Sequence, residues 1–413
     1  MKINKAYKFR IYPNKIQREI FEKYFGICRF VHNSVLDYKI QSYKKRVKYS
    51  VYDAINDFVE IKKLEGYEWL QEINAQTIQQ EIINLDNAFQ KFFKEKKVGF
   101  PKFKSKKNDS NSFRVPQHCG VDFKNKKIKI PKIEWIKFRD KRVFENKIKS
   151  ITISKNKCNQ YFASILIEQN FEINLSQTIE EDKVFAADMS CKNFLVSQEM
   201  EFENQKFYRK NERRLKIRQR RLSRTLKGSN NREKERLKVA KTYLNITNQR
   251  KGYQWNLAHE LTQKFDAFCF EDLNIEGMKQ FNKGISKTVT MDFSFSEFLS
   301  NLEWKSFKEN KHFVKIDRWF PSSKLCFECG NIKTDLQLSD RTYICDCGNV
   351  DDRDINAYKN IKREGISILK QRGINLLKNS TDVKMFSESY AYRDTSVEVN
   401  KLGLGRYNSL ELC

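Results

Sequence analysis

Apolar and polar positions alternate through the opening KAYKFRIYP, a pattern that predicts an edge strand ending at Pro13. From about Asn14 to Lys45 the spacing lengthens: Ile16, Ile20, Tyr24, Val31, Val35 and Tyr38 recur at helical intervals. A second helix is predicted over Ala75 to Lys94, with Ile78, Ile82, Leu85, Phe89 and Phe92 on one face. Gln76, Gln80, Asn84, Asn87, Lys91 and Lys94 lie on another. Such a polar face is usually just solvated; the sharper reading is a helix that meets a nucleic-acid groove or backbone, with Gln76 and Gln80 as contacts. Pro101 and the loop FKSKKNDSNSF break the helical pattern, and KIKIP, SITISKN and YFASILIEQN follow as short strands of a small basic β domain.

Around Asn174 to Asp182 the chain turns polar and acidic, which predicts a linker and the main domain boundary. A second domain then opens with the apolar run KVFAAD and two further predicted strands, NFLVSQEM and EFENQKFY. A charged helical hairpin is expected over 204–250, turning at Gly228, Ser229 and Asn230, before a helix NLAHELTQKF and an apolar strand AFCFED. Beyond about Leu377 periodicity is weak, so 377–413 is expected to be a disordered tail.

Composition sharpens this outline. A chain of 413 residues exceeds the size at which one core stops growing, so two or more domains are expected. Eighty Lys and Arg oppose fifty-two Asp and Glu, a formal charge of +28 that implies a polyanionic partner. An A/T-rich coding bias accounts for some of the lysine but not for the dense arginine between Arg209 and Arg236. Nucleic acid is therefore the expected partner, with acidic membrane surface the minor competitor. On the hairpin, Arg213, Arg214, Arg220 and Arg221 are the candidate backbone contacts, although a charge run is ordinarily a solvated helix face. No run approaches the roughly 18 apolar residues of a membrane helix, and the first residues lack the apolar stretch of a signal peptide. A cytoplasmic protein is expected, associated with the nucleoid when bound to DNA.

Ten cysteines are unevenly placed. Cys28, Cys119, Cys158, Cys191, Cys269 and Cys413 are scattered, whereas Cys326, Cys329, Cys345 and Cys347 fall within one short segment. Two close pairs separated by fifteen residues suit one structural zinc ion of zinc-ribbon type, with Gly330 and Gly348 relieving the turns. Free buried thiols or a redox pair are the alternatives.

Three carboxylates stand at element ends: Asp188 closes VFAAD, Glu271 closes AFCFE and Asp354 opens DINAYKNI. Alone, each reads as a turn residue or helix cap. Together they suit phosphodiester hydrolysis, in which two Mg(II) ions neutralise phosphoryl charge, and hard cations take carboxylate ligands. Among Asp351, Asp352 and Asp354, the last lies four before Tyr358 and seven before Ile361, so it projects along the inward face of the helix. Asp352 is better placed as the N-terminal cap.

In order, the segments FAADMSCKNFLVS, FCFEDLNIEGM, RWFPSSKLCFECG and CDCGNVDDRDINAYKNI resemble the TnpB family of transposon-encoded RNA-guided nucleases, relatives of the type V CRISPR effectors. The opening KAYKFRIYPNKIQ and the later FPKFKSKKNDSNSF resemble the same family's N-terminal half. The resemblance implies a multidomain α+β protein: a small β-barrel (wedge) domain, 1–13 and 99–181, interrupted by a helical recognition domain, 14–98. A RuvC-like nuclease domain of RNase H fold, 182–376, would follow, with a zinc-ribbon insert at 320–350. It further implies Asp188, Glu271 and Asp354 as catalytic residues holding two Mg(II) ions. The implied partners are a guide RNA from the same mobile element and double-stranded target DNA cut beside a short flanking motif. Two departures stand out: Met189-Ser190-Cys191 lacks the family's glycine after the first acid, and the second thiol pair is C-x-C. The rival readings are a nuclease-inactive guided repressor and a transposase acting directly on DNA ends.

Overall fold

The computed structural model describes residues 1–107, 111–190, 193–197, 200, 202–273, 292–337 and 340–377. Among these the chain divides between Glu172 and Ile173 into two compact units. Cys191, Cys413 and the expected disordered tail lie outside the described residues.

The first unit begins with β1 (Lys2–Tyr12), whose alternation buries Phe9 and Ile11. The strands β2 (Asn111–Val115), β3 (Gly120–Asp122), β4 (Lys127–Ile130), β5 (Ile133–Phe138), β6 (Ile148–Lys155) and β7 (Tyr161–Asn170) join it in one sheet. Its order is β2-β6-β7-β1-β5-β4-β3, antiparallel throughout. The first strand is therefore central, not at the edge as its sequence suggested. Alternation encodes which face is wet and carries no information about lateral neighbours; β1 pairs with β7 along Lys2–Ile11 and with β5 at Ile11 and Tyr12.

Helix α1 (Lys15–Lys44) starts at a reciprocal cap in which Gln17 N–H donates to Asn14 Oδ1 at 2.8 Å and Asn14 N–H donates to Gln17 Oε1 at 3.0 Å. Its buried stripe is Phe21, Tyr24, Phe25, Cys28, Val31 and Val35, rotated from the expected one, for Ile16 and Tyr38 are exposed. Helix α2 (Val51–Ile61) follows, and α3 (Ala75–Lys94) buries Ile78, Ile82 and Leu85 as its periodicity predicts. The helices meet the sheet at Phe113 on β2, whose ring lies 4.4 Å from that of Tyr24 and within 5.8 Å of those of Phe21 and Phe25.

In the second unit the stretch expected as a linker contains β8 (Thr178–Glu180), which pairs in parallel with β14 (Asn375–Leu377) at the far end of the described chain. A three-residue strand is too short for its pattern to stand out from a polar linker. The central sheet has β10 (Ala267–Glu271) between β9 (Val184–Ala186) and β11 (His312–Ile316), all parallel. The two strands expected after Asp188 appear, among the described residues, as isolated bridges Asp188–Val196 and Leu195–Phe202. The hairpin is α4 (Phe207–Arg224) and α5 (Asn230–Lys264), turning at Gly228 with φ +88°. Its second arm does not stop near Arg250: the helix expected at NLAHELTQKF is continuous with it, because Gly252 alone does not break a helix lacking proline. After α6 (Phe295–Lys308), a hairpin of β12 (Thr342–Ile344) and β13 (Val350–Asp352) leads into α7 (Arg353–Gln371). No helix among the described residues is long and apolar enough to cross a membrane.

Helix α7 lies on the sheet by way of Gly365. A Cβ there would collide with Cys269 Sγ and stand 2.6 Å from Cys269 Cβ, in the middle of β10. Gly365→Ala is expected to cost about 1–3 kcal/mol, seen as a lower melting temperature, with only partial relief from Cys269→Ala because the Cβ clash remains. An unchanged melting temperature would show that the helix does not seat this closely.

Candidate active site and thiolate centre

Strand register sets two of the three acids side by side. Ala186, the last residue of β9, is paired with Cys269 on β10, and the same register carried two residues on brings Asp188, just past β9 and bridged to Val196, level with Glu271 at the end of β10. The third acid comes from α7. Asp352 caps that helix, its Oδ1 accepting from the N–H of Asp354 at 2.8 Å and of Ile355 at 3.3 Å. Asp351 is taken by Lys359 at 2.6 Å. Asp354 stands on the side of the buried Tyr358 and Ile361 and accepts from Ser190 Oγ at 3.2 Å, with Arg341 Nη1 4.0 Å away.

Burial pushes the Asp188 carboxyl up to about 7, and the charges of Glu271 and Asp354 push the same way. Burial also raises Glu271, against the hydrogen bond it accepts from Ser322 Oγ. Asp188 and Glu271, both held back from ionising and with Asp354 beside them, are what a bound cation would relieve, and carboxylate oxygens suit a hard divalent ion. They are not drawn as tightly together as the thiols: among the described residues the four cysteines are the one group of three or more candidate ligands whose donor atoms all lie within 4.8 Å.

Those thiols fit zinc. The Cys326–Cys347 and Cys329–Cys345 Sγ separations are 3.8 and 3.5 Å, against an edge of roughly 3.8 Å for a tetrahedron with Zn–S near 2.3 Å. The shortened C-x-C pair still makes a knuckle. Gly348 (φ +90°) donates to Cys345 O at 2.9 Å, as Gly330 (φ +76°) donates to Cys326 O at 3.0 Å.

Helix α7 ties the two centres together. The fully buried Asn356 donates to Leu325 O at 2.7 Å and accepts from Phe327 N–H at 3.1 Å; Asn360, equally buried, donates to Leu325 O at 2.6 Å and Ser322 O at 2.9 Å. Sequence reasoning passed over Ser190, Ser322, Asn356 and Asn360. The one signal for them was the four-residue spacing of the two asparagines on the helix that carries the third acid.

The four hairpin arginines, Arg213, Arg214, Arg220 and Arg221, are exposed, and among the described residues none has an acid within ion-pair distance. By contrast Arg218 and Arg232 bond across the hairpin, to Lys238 O and to Leu222 O and Thr225 O. On α3 Gln76 donates to Gln117 Oε1 and Gln80 to Asn84 Oδ1, both at 3.0 Å. The first unit also has an open groove of about 650 Å³ lined by Tyr12, Lys126, Lys137, Arg139 and Lys141.

Residues 164–282 match a family model described as a probable transposase, residues 295–361 one described as Cas12f1-like, TNB domain, and residues 1–48 one described as a helix-turn-helix domain. In this chain residues 1–48 hold β1 and a single unbroken helix. A putative RNA-guided DNA endonuclease of Streptomyces pristinaespiralis is 30% identical over 372 residues, 88% of this chain and 90% of the relative. Another of Escherichia coli K12, InsQ, is 26% identical over 385 residues, 89% and 94% of the two chains. The fold is similar to that of the protein in a Cas12f1–sgRNA–target DNA complex, with a TM-score of 0.51, 13% identity, and coverage of 87% of this chain and 99% of the other. The chain belongs to the TnpB family.

Two outcomes follow from the site's electrostatics and thiols. Because the folded protein holds the Asp188 proton more tightly than the unfolded chain, the group's stabilising contribution is lost as pH rises from its ordinary 3.8 through about 7. In EDTA, Asp188→Asn should therefore gain melting temperature over wild type across that window and level off above it; an advantage that shrank with rising pH would refute the assignment. Metal analysis of the wild type should find one zinc per chain, and Cys326→Ser should lose it and melt at lower temperature, since structural zinc contributes directly to folding; active wild type without zinc would refute the centre.

Proposed function

We propose that this protein is an insertion-sequence-encoded, RNA-guided DNA endonuclease that cuts double-stranded DNA beside a short flanking motif. The observation that carries the reading is the β9–β10 register, which sets Asp188 and Glu271 side by side with Asp354 close enough for its charge to act on Asp188. The parallel sheet with α7 against it supports an RNase H-like (RuvC) nuclease domain over 182–376, with the thiol segment as its zinc-ribbon insert. The seven-stranded sheet supports a β-barrel wedge domain of residues 1–13 and 99–181, with the helical recognition domain 14–98 inserted.

Asp188, Glu271 and Asp354 would hold two Mg(II) ions, which supply neutralisation of phosphoryl charge and activation of the attacking water. The chain's own part is to fix the acids. Ser322 orients Glu271, Ser190 orients Asp354, and the sheet end holds Asp188 in surroundings that disfavour its charge until a cation is present. The unpaired hairpin arginines, the basic groove and the α3 face with Gln76 and Gln80 supply phosphate-binding surface for guide RNA and DNA. Sequence specificity then resides in base pairing with the guide. Activity on DNA places the protein in the cytoplasm, at the nucleoid.

Cleavage of guided plasmid DNA by Asp188→Ala, Glu271→Ala and Asp354→Asn should be nearly abolished while guided DNA binding persists, and EDTA should stop the wild type. Asp352→Asn should retain substantial cleavage, because asparagine caps a helix about as well as aspartate. Dead Asp352→Asn beside active Asp354→Asn would overturn the site.

A further inference from the structure

The loop 317–322 connects β11 to the thiol segment, and both its ends meet Glu271. Before the loop, Ile316 is paired with Glu271 in the sheet; at its close, Ser322 Oγ donates to the Glu271 carboxylate. Between them stands Trp319, 85% exposed and the most exposed of the chain's five tryptophans. Three residues of chain reach at most about 11 Å, so the Cα of Trp319 is held within that distance of the Cα of Ser322, the acid's hydrogen-bond partner.

The loop beneath it is fixed. Trp319 N–H donates to Asp317 Oδ1 at 2.8 Å, Phe320 N–H to Asp317 O at 3.2 Å and Ser322 N–H to Phe320 O at 2.9 Å. Arg318 is anchored on Asp272, the residue after Glu271, through Nε to the carbonyl at 3.0 Å and Nη2 to the carboxylate at 2.6 Å. Phe320 packs on the core below the sheet. A large aromatic face is thus presented to solvent on a rigid loop, which is costly in apolar exposure unless something covers it.

We propose that Trp319 is a nucleobase-binding subsite, on which an unpaired base of the DNA strand stacks while its phosphodiester lies at the carboxylates. The proposal rests on the nuclease reading of the acids. Stacking suits the task because every base offers a π-face, so a guided enzyme can hold any sequence in the same register. Trp319 touches only the base and acts on cleavage by positioning the strand.

Full-length protein in EDTA, titrated with short single-stranded DNA, separates binding from turnover. Trp319→Ala should weaken binding about 5- to 150-fold for all base compositions, while Trp319→Phe retains most of it. An abasic position moved along the oligonucleotide should weaken wild-type binding sharply at one place, and that minimum should vanish in Trp319→Ala. With Mg(II), Trp319→Ala should raise KM with little change in kcat, the mark of an interaction made equally in ground and transition states. Melting temperature should not move, since the side chain is exposed. Equal binding by wild type and Trp319→Ala, equal loss in Trp319→Phe, or an effect confined to RNA oligonucleotides would each overturn the subsite. If guided DNA is cut and these tests fail, the nuclease reading stands without the subsite; if the abasic minimum appears but no DNA is cut, Trp319 stacks a base, and the nuclease reading falls together with the placing of the phosphodiester at the carboxylates.

Discussion

Confinement of three carboxylates where a sheet end takes them out of water is the constraint around which the second unit is arranged. Left in water, Asp188, Glu271 and Asp354 would separate and ionise. Here Glu271 is fixed in the parallel sheet, Asp188 just past β9 by its antiparallel bridge to Val196, and Asp354 on a capped helix, so the groups cannot move apart, and burial, helped by the two neighbouring charges, pushes the Asp188 carboxyl up to about 7. The backbone supplies the confinement: β10 is paired on both sides, and α7 is seated against it where Gly365 leaves no side chain. A rigid frame with unfavourable charge is a site whose stability and cation affinity are opposed, which is the ordinary condition of a functional centre.

The thiol segment is part of the same frame. Asn356 and Asn360 reach from the acid-bearing helix to Leu325, Phe327 and Ser322, and Ser322 in turn bonds Glu271. A short chain of partly buried hydrogen bonds therefore runs from the cysteine turn to a carboxylate of the sheet. Such contacts gain strength where water is largely kept out, as it is at the fully buried side chains of Asn356 and Asn360. Ordering of the thiols by a metal and the setting of Glu271 are consequently one mechanical matter.

Much of this was legible in the chain itself, for local reasons. Capping chemistry and helical periodicity predicted Asp352 as the cap and Tyr358 and Ile361 on the inward face, and the structure has Asp352 as the cap and both of the others buried. The α3 boundaries followed from an uninterrupted stripe. What failed to show was non-local. Alternation in KAYKFRIYP gave a strand but not its central place, because lateral pairing depends on segments over a hundred residues away. β8 looked like linker until β14 paired with it. Ser322 and Asn360 are 38 residues apart, and nothing in the surroundings of either announces the other.

The continuity of α5 has a mechanical consequence. Thirty-five residues of unbroken helix span roughly 52 Å, and the far end is rooted by Leu257, Ala258 and Leu261 in the aromatic core of Phe185, Phe268 and Phe270. Only Phe265 and Asp266 separate its last residue from the strand that ends in Glu271. The arm thus behaves as a stiff lever whose fulcrum is that core: a load applied near its charged tip is delivered, with little lost to bending, at the root of the strand bearing the acid.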